Sequence, residues 1–221
     1  MAVCEIHFSA NQSLGRMTSA TVIFPEGKPG PFPVIYLLHG MSDDHTAWVR
    51  RTSIERYVEG LPLIVVMPNG DRSHFVDAKH RVYSAYDTYI TRDLAGFVDA
   101  TFRTVPGRKG RVIAGLSMGG AESLYVGLNA LGTFAWIGAF SSGGMGEDLN
   151  ASFPLLDAKA NARLRLLWIA CGKDDRLMDA NRKFGEFLKS RGVRYTWIET
   201  AGAHTWMVWR RNLAEFAPLL F

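Results

Sequence analysis

Residues 111–125 read Arg-Val-Ile-Ala-Gly-Leu-Ser-Met-Gly-Gly-Ala-Glu-Ser-Leu-Tyr, and no other stretch constrains the fold so tightly. Val112, Ile113 and Ala114 form a short apolar run suited to a buried strand, and residues 121–131 have the spacing of a helix. Between them stands Gly115-Leu116-Ser117-Met118-Gly119-Gly120. A strand that turns abruptly into a helix leaves almost no room for side chains beside its central residue, so glycine is needed on both sides. Ser117 is thereby pushed out of the turn, with the amide of Met118 and the first turn of a helix beside its hydroxyl. Such a setting suits an attacking oxygen. With 22 glycines in 221 residues the Gly-x-Ser-x-Gly pattern says little alone. Its weight comes from the strand-like run before it and the helix-like run after it.

The rest of the chain supplies the sheet that such a turn requires. β-favouring runs at 4–8 and 17–24, separated by the turn-rich Asn11-Gln-Ser-Leu-Gly15, predict an antiparallel opening pair. Val34-Ile-Tyr-Leu-Leu38 and Leu63-Ile-Val-Val-Met67 are apolar at every position, as in strands covered on both faces. Further strands are predicted over 112–114, 134–140, 164–170 and 194–199. Helical stripes lie between them. Ile90, Leu94, Phe97, Val98 and Phe102 recur at helical steps within 86–102; Phe184, Phe187 and Leu188 share a face of a helix over 180–191; Leu213, Phe216, Ala217 and Leu220 form a closing stripe. Residues 145–163 read as irregular or weakly helical, too short for a large lid. Strand and helix alternate from Val34 onward, which predicts an α/β fold with a mainly parallel central sheet of about eight strands and helices on both faces. The length and a hydrophobic content of 48% suit a single domain over 1–221.

Composition also excludes several roles. No apolar stretch approaches the roughly 18 residues a bilayer demands, and Met1 to Phe8 lacks the basic start and apolar run of an export signal. The cytoplasm is the default expectation, and the oligomeric state is left open. Cys4 and Cys171 are far apart and form no Cys-x-x-Cys pair, so both are expected to be reduced and structural. The formal charge of +4 is spread among 21 acidic residues with no long basic run, which predicts no nucleic-acid partner. Asp71, His74, Asp77 and His80 share a loop, but nothing fixes them on one face, and neither a metal nor a cofactor is expected.

Three loops at predicted strand ends carry, in chain order, Ser117, the pair Asp174 and Asp175, and His204. A serine hydroxyl is a poor nucleophile at neutral pH until an imidazole takes its proton. The imidazole in turn works best when a carboxylate fixes its tautomer and stabilises its cation. His204 follows the last strand, behind Gly202, and precedes a helix. Asp175 lies three residues after Gly172 and is favoured over Asp174. His39 ends a strand and belongs to the loop Gly40-Met41, which reads equally as a plain strand-to-loop turn or as a place where the amide of Met41 meets a bound carbonyl oxygen. Trp48, Phe75, Trp206 and Trp209 fall in or beside these loops and are candidates to line an acyl or aromatic pocket.

Leu38-His-Gly-Met41 with Trp48, Gly115-Leu-Ser-Met-Gly-Gly120, Cys171-Gly-Lys-Asp-Asp175 and Gly202-Ala-His-Thr-Trp206 together resemble the esterase D family of α/β-hydrolases. That family includes S-formylglutathione hydrolases, tributyrin esterases, the feruloyl and acetylxylan esterases of carbohydrate esterase family 1, and the mycolyltransferases. The likeness spans nearly the whole chain. It implies the α/β-hydrolase fold, with Ser117 as nucleophile, Asp175 as acid, His204 as base and the amides of Met41 and Met118 as oxyanion hole. The activity implied is hydrolysis of short acyl or aryl esters, of acetyl or feruloyl type, on small-molecule substrates. Acyl transfer or thioester hydrolysis would use the same residues, and a non-catalytic binding protein would keep only the fold.

Overall fold

The computed structural model of the chain describes residues 1–73, 85–143, 146 and 148–221. Eight strands form one sheet: β1 (Ala2–Ala10), β2 (Arg16–Phe24), β3 (Val34–Leu38), β4 (Ile64–Pro68), β5 (Arg111–Leu116), β6 (Trp136–Phe140), β7 (Leu166–Gly172) and β8 (Thr196–Thr200). Their order across the sheet is β1-β2-β4-β3-β5-β6-β7-β8. β1 pairs antiparallel with β2, and β2 with β4; every pairing from β4 to β8 is parallel. A parallel sheet sends every strand's carboxyl end to the same rim, so the loops after β3, β5, β7 and β8 gather there.

The helices are α1 (Ala47–Arg51), α2 (Ile54–Val58), α3 (Tyr86–Thr88), α4 (Ala95–Thr101), α5 (Met118–Asn129), α6 (Leu149–Ser152), α7 (Met178–Ser190) and α8 (Trp206–Phe216). A π-helical segment, Tyr89–Leu94, joins α3 to α4. The predicted helix over 86–102 is therefore continuous but widened in its middle, where Tyr89, Ile90 and Leu94 are all buried.

Alternation along the strands explains the two-sided burial. Val34, Tyr36 and Leu38 of β3, with Ile64 and Val66 of β4, join the core covered by α3, α4, α5 and α7. Ile35, Leu37, Val65 and Met67 point the other way, into the core covered by α1, α2 and α8. Each face holds a stripe that burial removes from water at about 25 cal/mol per Å² of apolar surface. α5 is the innermost helix. Ten of its residues, from Met118 to Leu128, are buried, including Glu122 and Ser123. Among the described residues, no helix is long and apolar enough to cross a membrane.

Candidate active site

The elbow between β5 and α5 is built by glycine at points of closest approach. A Cβ on Gly115 would lie 2.5 Å from the Gly119 carbonyl oxygen, and one on Gly119 would lie 2.6 Å from the His39 oxygen and 2.7 Å from Leu38 Cβ. With no side chain in the way, the Gly119 amide donates to the His39 carbonyl at 3.1 Å, which ties the start of α5 to the end of β3. Ser117 is left at φ 51°, ψ −113°, a conformation that costs a non-glycine residue on the order of 1–3 kcal/mol. Its own amide donates to the Phe140 carbonyl, and its carbonyl accepts from Ala121 and Gly143, so the surrounding strands hold it there.

His204 arrives on the loop after β8. Its Nε2 stands 3.0 Å from Ser117 Oγ, and its Nδ1 lies 2.9 Å and 3.0 Å from the two carboxylate oxygens of Asp175. The Asp175 side chain is fully buried, and its Oδ1 also accepts from the Leu177 amide at 2.8 Å. With Nδ1 turned toward the two carboxylate oxygens, the ring proton belongs on Nδ1, which leaves Nε2 as the acceptor facing the serine. Asp174 is exposed, and the carboxylate at His204 Nδ1 is that of Asp175. The loops that carry acid and imidazole are zipped together: a Cβ on Gly172 would meet the Gly202 oxygen at 2.4 Å, and the Asp174 amide donates to that same oxygen at 3.0 Å.

His39 has a different task. Its Nε2 accepts from the Gly70 amide at 2.9 Å while Nδ1 donates to the Gly40 carbonyl at 2.7 Å. Burial holds its imidazole below the usual histidine value, so it is a neutral brace beneath the Gly40–Met41 loop. A Cβ on Gly40 would fall 3.8 Å from Ser117 Cβ, which sets Met41 beside the serine from the β3 side. Met118 sits on the other side as the first residue of α5, where no intrahelical acceptor exists for its N–H. The remaining described histidines, His7 and His45, share one oxygen of Glu5 away from this site.

The aromatic candidates form a ladder. Trp48 packs edge-on against Trp206 at 5.1 Å, Trp206 against Trp209 at 5.4 Å, and Trp209 against the His204 ring at 4.8 Å. Trp48 has no exposed surface, and its indole N–H donates to the Leu38 carbonyl. The expectation that Trp48 lines a pocket is corrected on that ground: it supports Trp206 from the core, and half-buried Trp206 is the ring that reaches the surface. Phe75, His74, Asp77 and His80 lie outside the described residues. Among those described, no group of three or more His, Cys, Asp or Glu side chains could hold a metal. Cys4 and Cys171 are unpaired; burial first, and the Asp175 charge second, push the Cys171 thiol up to about 12, so it is inert as a nucleophile.

Two residues at or behind this site escape a linear reading. Asn181 on α7 and Glu122 on α5 are both buried, inside helices where polar side chains ordinarily face water. Their only sequence signal is a place among buried apolar neighbours.

A family model described as putative esterase matches residues 11–220. The endo-1,4-beta-xylanase/feruloyl esterase of Xylanibacter ruminicola is 28% identical over 96% of this chain, which spans only 30% of that longer protein. The acetyl esterase of Caldicellulosiruptor saccharolyticus is 24% identical, with 97% of this chain and 96% of that protein covered. Among solved structures, the S-formylglutathione hydrolase FrmB of Staphylococcus aureus superposes with a TM-score of 0.81 at 26% identity, covering 99% of this chain and 98% of that one.

Proposed function

Since the chain belongs to the putative esterase family, we propose that it is a serine carboxylic ester hydrolase, one domain over residues 1–221, working through an acyl-enzyme on Ser117. The observation that carries this reading is the unbroken path from Ser117 Oγ through His204 to Asp175, with contacts of 3.0 Å and 2.9 Å. Ser117 Oγ attacks the acyl carbon while His204 Nε2 takes its proton. Asp175 stabilises the imidazolium so formed. The amides of Met41 and Met118 receive the oxyanion, each worth on the order of 3 kcal/mol in the transition state. The imidazolium then protonates the leaving alcohol, and water, activated by the same ring, releases the acid.

Substrate class follows from the site's wall. Trp206 offers a half-buried aromatic face one ring removed from the imidazole, across Trp209, which suits short acyl or aryl esters, in line with the acetyl and feruloyl esterases among the relatives. The similarity to an S-formylglutathione hydrolase favours a thioester as second substrate class, since the same three residues would cleave it. Hydrolysis of p-nitrophenyl acetate, p-nitrophenyl butyrate, methyl ferulate and an acyl glutathione thioester tests both. Ser117→Ala is expected to lower turnover at least about a thousandfold with the fold retained. Undiminished turnover in that variant would remove the proposal.

A further inference from the structure

Asparagine inside a helix competes with the backbone for hydrogen bonds, and its amide must fill two donor and two acceptor sites when buried. Asn181, on the first turns of α7, has no exposed surface at all. Its Nδ2 donates to the Leu177 carbonyl at 2.8 Å and to the Ser142 carbonyl at 3.0 Å, while its Oδ1 accepts from the Ser142 amide at 3.2 Å. One side chain thus grips both main-chain groups of a residue 39 positions away. Leu177, the helical end of this grip, is the residue whose amide binds Asp175 Oδ1.

Ser142 stands in the loop leaving β6. The loop is tense: Ser141 is held at φ 49°, with its amide bonded to the Ala170 carbonyl at 2.7 Å. The next residue, Gly143, donates its N–H to the Ser117 carbonyl at 2.8 Å. That carbonyl belongs to the peptide whose other group is the Met118 N–H. In a planar trans peptide the C=O and N–H point in opposite directions, so a bond that fixes the carbonyl from behind also aims the amide in front. A donor on the carbonyl further polarises the peptide and strengthens what its N–H can give.

We propose that Asn181 is a positioning residue that, through Ser142 and Gly143, aims the Met118 amide at the developing oxyanion. The inference rests on the ester-hydrolase reading above. It assigns to α7 two duties at once, since its first turn also braces the acid, and it predicts that Asn181 acts on the transition state and not on the bound substrate.

Asn181→Ala tests this with p-nitrophenyl butyrate and with a trifluoromethyl ketone that forms a tetrahedral adduct on serine. The expected result is a fall in kcat of about 10- to 100-fold, less than removal of an oxyanion donor outright, with KM within about threefold of wild type. The ketone is expected to weaken in parallel with kcat. The midpoints of the pH profile of kcat/KM should not move, because the contacts of His204 with Asp175 are untouched. Asn181→Asp, of the same size and keeping the acceptor for the Ser142 amide, should show the same pattern and guards against loss of folding in the alanine variant. Wild-type kcat in either folded variant, a loss expressed only in KM, or a displaced pH profile would overturn the proposal. Unaffected Asn181 variants alongside an inactive Ser117→Ala would leave the hydrolase reading standing, whereas a wild-type protein inactive on every ester and thioester would remove that reading first.

Discussion

Glu122 lies on α5 five residues beyond Ser117, only 4% exposed, with a carboxyl oxygen that meets no partner. Burial pushes its carboxyl up to about 9. The unfolded chain loses this proton near the ordinary glutamate value of 4.5, while the folded chain keeps it to about 9. Across that window the folded state holds the extra proton, so stability declines as pH rises, by up to about 1.4 kcal/mol per pH unit from this group. Glu122→Gln keeps the shape and removes the ionisation; urea unfolding should find the variant's advantage over wild type larger at pH 8 than at pH 5. Equal differences at both values would contradict the account. At the same scale, Asp175→Asn is expected to cut kcat by about 10⁴, whereas Asp174→Asn should stay within about twofold, because only Asp175 reaches the imidazole. A steady-state assay of the two variants reverses the assignment if the losses are exchanged. Ser117, Asp175 and His204 were legible because glycine-flanked loops at strand ends leave a signature in one dimension. Glu122 and Asn181 were not: a polar residue inside a helix usually marks its wet face, and no local pattern tells that α5 is surrounded.

Among the elements, β3 and β4 were the plainest, since a strand buried on both faces is apolar at every position. α5 starts at Met118 and not near 121, because the poor helix propensity of Gly119 and Gly120 conceals the true beginning. Gly119 serves contact with the end of β3 instead, and Gly120 lies against the backbone of β5 and β6. Gly119→Ala should therefore push α5 off the strand, destabilising the protein by about 1–3 kcal/mol and lowering activity further than stability, as the Met118 amide moves with the helix. Chemical denaturation set beside kcat measures both, and a stable, fully active variant would refute the role given to the contact. The five-residue helices α1 and α2 left no periodic trace, being shorter than two turns. The π-helical segment after Tyr86 keeps the same buried side chains as a regular helix would, which is why its stripe was visible and its widening was not.

For the whole molecule, alternation of strand and helix was enough to require a mainly parallel sheet, and parallel strands deliver their loops to one rim. The crossing of β3 and β4 in the sheet order was not readable, since both runs are equally apolar and nothing in either names its neighbours. Yet that crossing sets the Met41 loop of β3 directly beside the β5 elbow, so the site depends on a feature of topology that no motif encodes. On the proposed mechanism Ser117 is activated by an imidazole brought from 87 residues away. Reaction with a fluorophosphonate, followed by peptide mapping, reads that activation. One adduct is expected, on the peptide carrying Ser117, formed quickly in the wild type and at least about a hundredfold more slowly in His204→Ala. An adduct on another residue, or equal rates in the two proteins, would overturn the mechanism.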